Sequence, residues 1–143
     1  MKLEINNQIG GIEWVRVAEL FSLVGWGTRN PEEIKTAFHK SSFVRFAYAD
    51  DLLVGFGRTV DDGQYYALIV DLVVHPDYQR QGIGRHILHD LEKSLTTYAF
   101  TTLTSVPGKE LFYERQGWLK QTTSFIWPRS EKQMLENTGG KDK

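Results

Sequence analysis

Apolar residues recur along this chain at two spacings, and the switches between them outline the elements. Lys2-Leu3-Glu4-Ile5-Asn6 alternates polar and apolar positions and predicts an edge strand, followed by turn residues from Asn7 to Gly11. From Ile12 to Val24 the spacing lengthens: Trp14, Val17, Ala18, Phe21 and Val24 fall three or four residues apart and predict a helix with one buried face. Gly25 and Gly27 stop that pattern. Asn30-Pro31-Glu32-Glu33 reads as an N-cap, a proline at the first helical position and acids in the first turn, which opens a short helix through Phe38.

The middle of the chain reads as a meander. Strands are predicted over Phe43–Ala49, Leu52–Val60 and Tyr65–Val74, with turns at Asp50-Asp51 and Asp61-Asp62-Gly63. The last is the most apolar, as a central strand covered on both faces would be. A helix beginning near Gln81 carries Ile83, Ile87, Leu88, Leu91 and Leu95 on one stripe, and Phe100–Val106 returns as a strand. Strand, helix and strand in one sheet imply a parallel pair with a right-handed crossover. A short helix over Lys109–Gln116 and a final strand over Thr122–Trp127 complete the series. The expected architecture is α/β (α+β), in the order β-α-α-β-β-β-α-β-α-β. Residues 1–130 are expected to form one domain and residues 131–143 a partly disordered tail.

Composition narrows the chemistry. With 143 residues, 41% of them apolar, the chain can bury a sizeable core, and its net charge of −1 offers no basic field for nucleic acid. The sequence has no cysteine, so disulfides, thiolate metal sites and a cysteinyl acyl-enzyme are excluded. His39, His86 and His89 have no spacing with carboxylates that suggests a metal. No segment reads as a signal peptide or a membrane span, so a cytoplasmic protein is the expectation.

The most informative stretch is Val73-Val74-His75-Pro76-Asp77-Tyr78-Gln79-Arg80-Gln81-Gly82-Ile83-Gly84-Arg85. An apolar strand breaks at a proline and enters a helix through a basic, glycine-containing turn. Backbone N–H groups at such a helix start, with the positive end of its dipole, favour a bound anion. The spacing is neither G-x-G-x-x-G nor the P-loop, because Arg85-His86-Ile87 follows Gly84.

Gln79-Arg80-Gln81-Gly82-Ile83-Gly84 resembles the Q/R-x-x-G-x-G/A signature of the GCN5-related N-acetyltransferase (GNAT) superfamily. Further blocks resemble that family in order: Val24-Gly25-Trp26-Gly27, Leu53-Val54-Gly55-Phe56-Gly57-Arg58, Val70-Asp71-Leu72-Val73-Val74-His75-Pro76 and Leu111-Phe112-Tyr113-Glu114-Arg115-Gln116-Gly117-Trp118. The resemblance covers Ile12 to Pro128. It implies a mixed sheet whose fourth and fifth strands splay apart to admit the pantetheine arm of acetyl-coenzyme A as acyl donor, with no metal. Leu72, Val73 and Val74 would line that arm through main-chain groups, and Gln79, Arg80, Gln81, Gly82, Ile83, Gly84 and Arg85 would hold the pyrophosphate. Arg80 and Arg85 read equally well as solvated loop charges.

By the same resemblance Tyr113 is the general acid for the departing thiolate, Phe112 beside it is a cofactor contact, and the acceptor is a primary amine of a small molecule or peptide. Relatives acting on histones or arylalkylamines place Glu or His where this chain has Leu68 and Val70. Asp71 is then the nearest carboxylate, a candidate base only if a bulge alters strand alternation; relayed water is the alternative. The asparagine that many relatives carry after the fifth strand is replaced by Val106-Pro107-Gly108-Lys109, which leaves Lys109 to reach the cofactor's phosphates. Trp26, Phe38, Phe43 and Trp127 are candidate walls of the acceptor pocket, where aromatic rings suit an apolar amine or an ammonium. A binding module without turnover, a longer acyl donor or a hydroxyl acceptor are the competing readings. A homodimer, frequent in the family, is a further hypothesis.

Overall fold

The computed structural model describes residues 1–140. It divides into a unit spanning Met1–Thr104 and a second that begins at Ser105. The first unit contains β1 (Leu3–Asn6), α1 (Trp14–Leu23), α2 (Pro31–His39), β2 (Val44–Ala49), β3 (Leu52–Asp61), β4 (Tyr66–Val74), α3 (Ile83–Ser94) and β5 (Phe100–Leu103). One 3-10 turn, Pro76–Tyr78, follows β4. The five strands form one sheet in sequence order, antiparallel from β1 to β4 and parallel between β4 and β5. Asp50 and Asp51, with φ of 49° and 71°, make the tight turn between β2 and β3.

Helices α1 and α2 cover one face, burying Val17, Leu20, Phe21, Ile34 and Phe38 against Phe46, Phe56 and Val73. Helix α3 buries Ile83, Ile87, Leu88 and Leu91 on the other, each worth about 1.5–3 kcal/mol of apolar burial. Its close approach depends on glycine: a Cβ at Gly57 would lie 2.9 Å from Ile87 Cγ2 and 3.2 Å from Leu91 Cδ1.

Two irregularities in β4 shape its C-terminal half. Arg58 pairs with Val70 and Phe56 with Val73, so Asp71 and Leu72 together oppose Gly57 as a bulge, with Asp71 at φ 55°. β5 pairs with β4 only from Tyr66↔Phe100 to Ile69↔Leu103. Beyond Ile69, the β5-side edge of β4 has no strand partner among the described residues, which is the splay that the family pattern implied.

The second unit holds α4 (Glu110–Arg115) and α5 (Glu131–Thr138). The strand expected over Thr122–Trp127 does not form. A strand exists by pairing, and here the polar run turns at Thr122-Thr123, where Gln121 Nε2 donates to Thr123 Oγ1 at 3.3 Å. The tail expected to be partly disordered is helical from Glu131 to Thr138: Ser130 Oγ accepts from the Gln133 amide at 3.0 Å, and Gly139 closes the helix at φ 77°. Residues 141–143 of that tail lie outside the described residues.

Candidate functional site

The turn after β4 is built to leave amides free. The His75 amide donates to the Val54 carbonyl at 2.7 Å, and His75 Nδ1 accepts from the Asp77 amide at 3.0 Å, so His75 ties off the strand end. Gln79 Nε2 donates to the Val74 carbonyl at 2.9 Å, which stitches the loop to the strand rather than freeing this side chain for a ligand. Arg80 and Gly82 then take positive φ, 64° and 84°, and α3 starts at Ile83 with no side-chain cap.

Arg80, Gln81, Gly82, Ile83, Gly84 and Arg85 therefore present six successive N–H groups without an acceptor among the described residues. A consecutive set of exposed donors at a helix N-terminus is the geometry that holds phosphate oxygens. At Gly82 the left-handed backbone, rather than lack of space, demands glycine: a Cβ would meet only Arg85 Nη2, at 3.6 Å. That same distance brings the Arg85 guanidinium back over the loop, where it adds charge.

Upstream, β4 offers main chain rather than side chains. Val73 is buried in the α1 and α2 core, while Leu72 Cδ1 and Val74 Cγ2 reach toward Gly57 and Gly55 on the α3 side. What remains for a ligand is the main chain of residues 70–74 on the side that no strand covers, apart from the Val74 carbonyl that Gln79 occupies.

The bulge carries Asp71 onto the face shared by Arg58 and Val70, since residues paired across a ladder point the same way. Its carboxylate is engaged: Oδ2 accepts from Arg58 Nε at 2.7 Å and Oδ1 from Arg29 Nη1 at 3.5 Å, with 10% of the side chain exposed. Arg58 is fixed in turn, its Nη1 donating to Ser41 Oγ at 3.2 Å and to the Ala37 carbonyl at 3.4 Å, with the guanidinium 5.4 Å from the Phe38 ring. Both carboxylate oxygens are thus engaged by guanidinium groups. The arrangement fits an anchor for the bulge better than the general base expected of Asp71.

Phe21, Arg29, Glu33, Ile34, Ala37, Phe38, Arg58 and Asp71 enclose a recess of about 300 Å³. Phe38 is the one predicted acceptor-wall residue that lines it. Trp26 stands behind, its ring 5.6 Å from both Phe21 and the Arg29 guanidinium. Phe43 lies elsewhere, packed edge-on to Tyr98 at 6.4 Å. No functional role for Arg29, Arg58 or Glu33 follows from the sequence. Arg58 stood within a family-like block, whereas nothing in the sequence connects Arg29 to a partner 42 residues away.

In the second unit, Tyr113 sits on α4 with its ring 5.0 Å from Phe112 in an edge contact. Burial pushes the Tyr113 phenol above its ordinary value. Its hydroxyl has no hydrogen-bond partner among the described residues. Lys109 is the N-cap of α4, and Trp127 is 84% exposed, with Arg129 5.5 Å from the centre of its ring.

Known proteins resemble this chain in sequence and fold. The family of acetyltransferase (GNAT) domains matches residues 25–126. An uncharacterized N-acetyltransferase of Porphyra purpurea is 33% identical over 128 residues, covering 82% of this chain and 74% of that protein. The structure of a GNAT family acetyltransferase from Streptococcus pneumoniae superposes with a TM-score of 0.76 at 27% identity, over 91% of this chain and all of that one. A Staphylococcus aureus protein of unknown function shares the fold at a TM-score of 0.79 and 19% identity, over 90% of this chain and 100% of its own. Fold, bulged and splayed strand, free-amide turn and family match agree, and the chain belongs to the GNAT acetyltransferase family.

Proposed function

We propose that this protein is an N-acetyltransferase that moves an acetyl group from acetyl-coenzyme A directly to a primary amine of a small molecule or peptide. The observation that carries the reading is the run of six free amides at residues 80–85, next to a strand edge that is unpaired beyond Ile69. Amides of this kind suit the pyrophosphate, with Arg80 and Arg85 adding charge, and the edge at residues 70–74 suits the amide-bearing pantetheine arm. Acetyl-coenzyme A supplies the thioester carbonyl that the amine attacks. Tyr113, its phenol held protonated by burial, is the proton donor for the thiolate that leaves. Without cysteine, no thiol acyl-enzyme intervenes.

The amine's proton goes to water relayed through backbone carbonyls, because Leu68 and Val70 accept none and Asp71 is engaged by Arg58 and Arg29. The same lack of a dedicated base favours a second reading, a module that binds acyl-coenzyme A without turnover. A cytoplasmic setting and an amine partner, rather than nucleic acid or membrane, remain part of the proposal. The net charge of −1 disfavours nucleic acid, and among the described residues no helix is long and apolar enough to cross a membrane. Titrating acetyl-coenzyme A while following free thiol against an amine panel separates the readings: amine-dependent thiol release supports transfer, whereas tight binding without release for any amine or alcohol supports the module.

A further inference from the structure

The recess at the bulge is bipolar, and its charges are unequally committed. Arg58 is tied to Asp71, Ser41 and Ala37. Arg29 is not: its one hydrogen bond among the described residues is the 3.5 Å contact to Asp71, and 40% of its side chain is exposed. Its guanidinium is nevertheless held in place, 4.2 Å from the centre of the Phe21 ring and 5.6 Å from that of Trp26. A guanidinium oriented by stacking, with most of its five N–H donors unspent, is suited to the two oxygens of a carboxylate or phosphate. Glu33, on the same lining, has a carboxylate without a partner among the described residues and would attract a cation. The recess volume, about 300 Å³, is at the small end for a ligand site.

We infer that Arg29 selects the acceptor: the recess takes small amines that also carry an anionic group, which the Arg29 guanidinium binds while the amine lies toward the β4 bulge. The inference rests on the acetyl-transfer reading for the amine's role, but anion selection can be measured without turnover. The protein is saturated with coenzyme A, where no acetyl group is available, and titrated calorimetrically with matched pairs, 4-aminobutanoate against 4-aminobutanamide and 2-aminoethyl phosphate against ethanolamine. The acid of at least one pair is expected to bind at least about tenfold tighter than its neutral mate, and which pair does so names the anion. Arg29→Gln should bring that ratio to about one, and Arg29→Lys, which keeps the charge without the fork, should retain part of it. Equal binding within both wild-type pairs, or a ratio that survives Arg29→Gln, overturns the inference. Discrimination without thiol release from acetyl-coenzyme A for any amine supports the anion site and removes the transfer reading instead.

Discussion

A tyrosine can protonate a leaving thiolate at neutral pH because its own proton is still in place, and burial strengthens that hold at Tyr113. Disfavouring the phenolate raises the pH at which the proton is lost above the ordinary tyrosine range, so this group causes no fall in rate through neutral pH. Tyr113→Phe is expected to lower kcat by about 100-fold while leaving the affinity for acetyl-coenzyme A within about twofold. A variant that keeps full turnover would remove the assignment. Asp71 makes the opposite forecast. As an ion-paired anchor of a bulge rather than a base, it should tolerate Asp71→Asn, which accepts positive φ, with a drop in kcat of less than about tenfold; loss of a true base would cost at least about 100-fold. As a candidate the tyrosine was legible, because it sits inside a local motif. The partners of Asp71 were not, being 13 and 42 residues away and brought to it only by the sheet and the α1–α2 loop.

Periodic elements were the most readable, because a helix stripe or a strand alternation is written in consecutive residues. The stripe from Ile83 to Leu95 became α3 and its start, with Gly82 as N-cap, falls two residues after the predicted one at Gln81. What failed was an element that depends on a partner: Thr122–Trp127 has strand composition, yet nothing in a single segment specifies a neighbour with which to pair. A local signal was also passed over, since Ser130-x-x-Gln133 is a helix-start pattern whose two side chains do bond, Gln133 Oε1 accepting from the Arg129 amide at 2.7 Å. The contact between α3 and β3 gives a prediction at this scale. A methyl group at Gly57 would enter the space of Ile87 and Leu91, so Gly57→Ala should cost about 1–3 kcal/mol in urea unfolding without a change in the slope of the transition. An unchanged midpoint would show that α3 can retreat freely.

For the whole molecule, the fold and the free-amide turn were legible together because the apolar strand, the glycine turn and the next helix follow one another in the chain. The recess proposed for the acceptor was not: it is assembled from α1, the following loop, α2, β3 and β4, and its charged lining comes from residues that look in sequence like ordinary surface positions. The central claim, that residues 80–85 and the unpaired β4 edge receive coenzyme A, is tested most directly by backbone amide NMR during titration with coenzyme A and, separately, with pantetheine. Coenzyme A should shift the amides of Arg80 to Arg85 together with those of the residue 70–74 edge, and pantetheine, which lacks the pyrophosphate, should shift the edge alone. Coenzyme A binding that leaves the amides of residues 80–85 unmoved would contradict the claim.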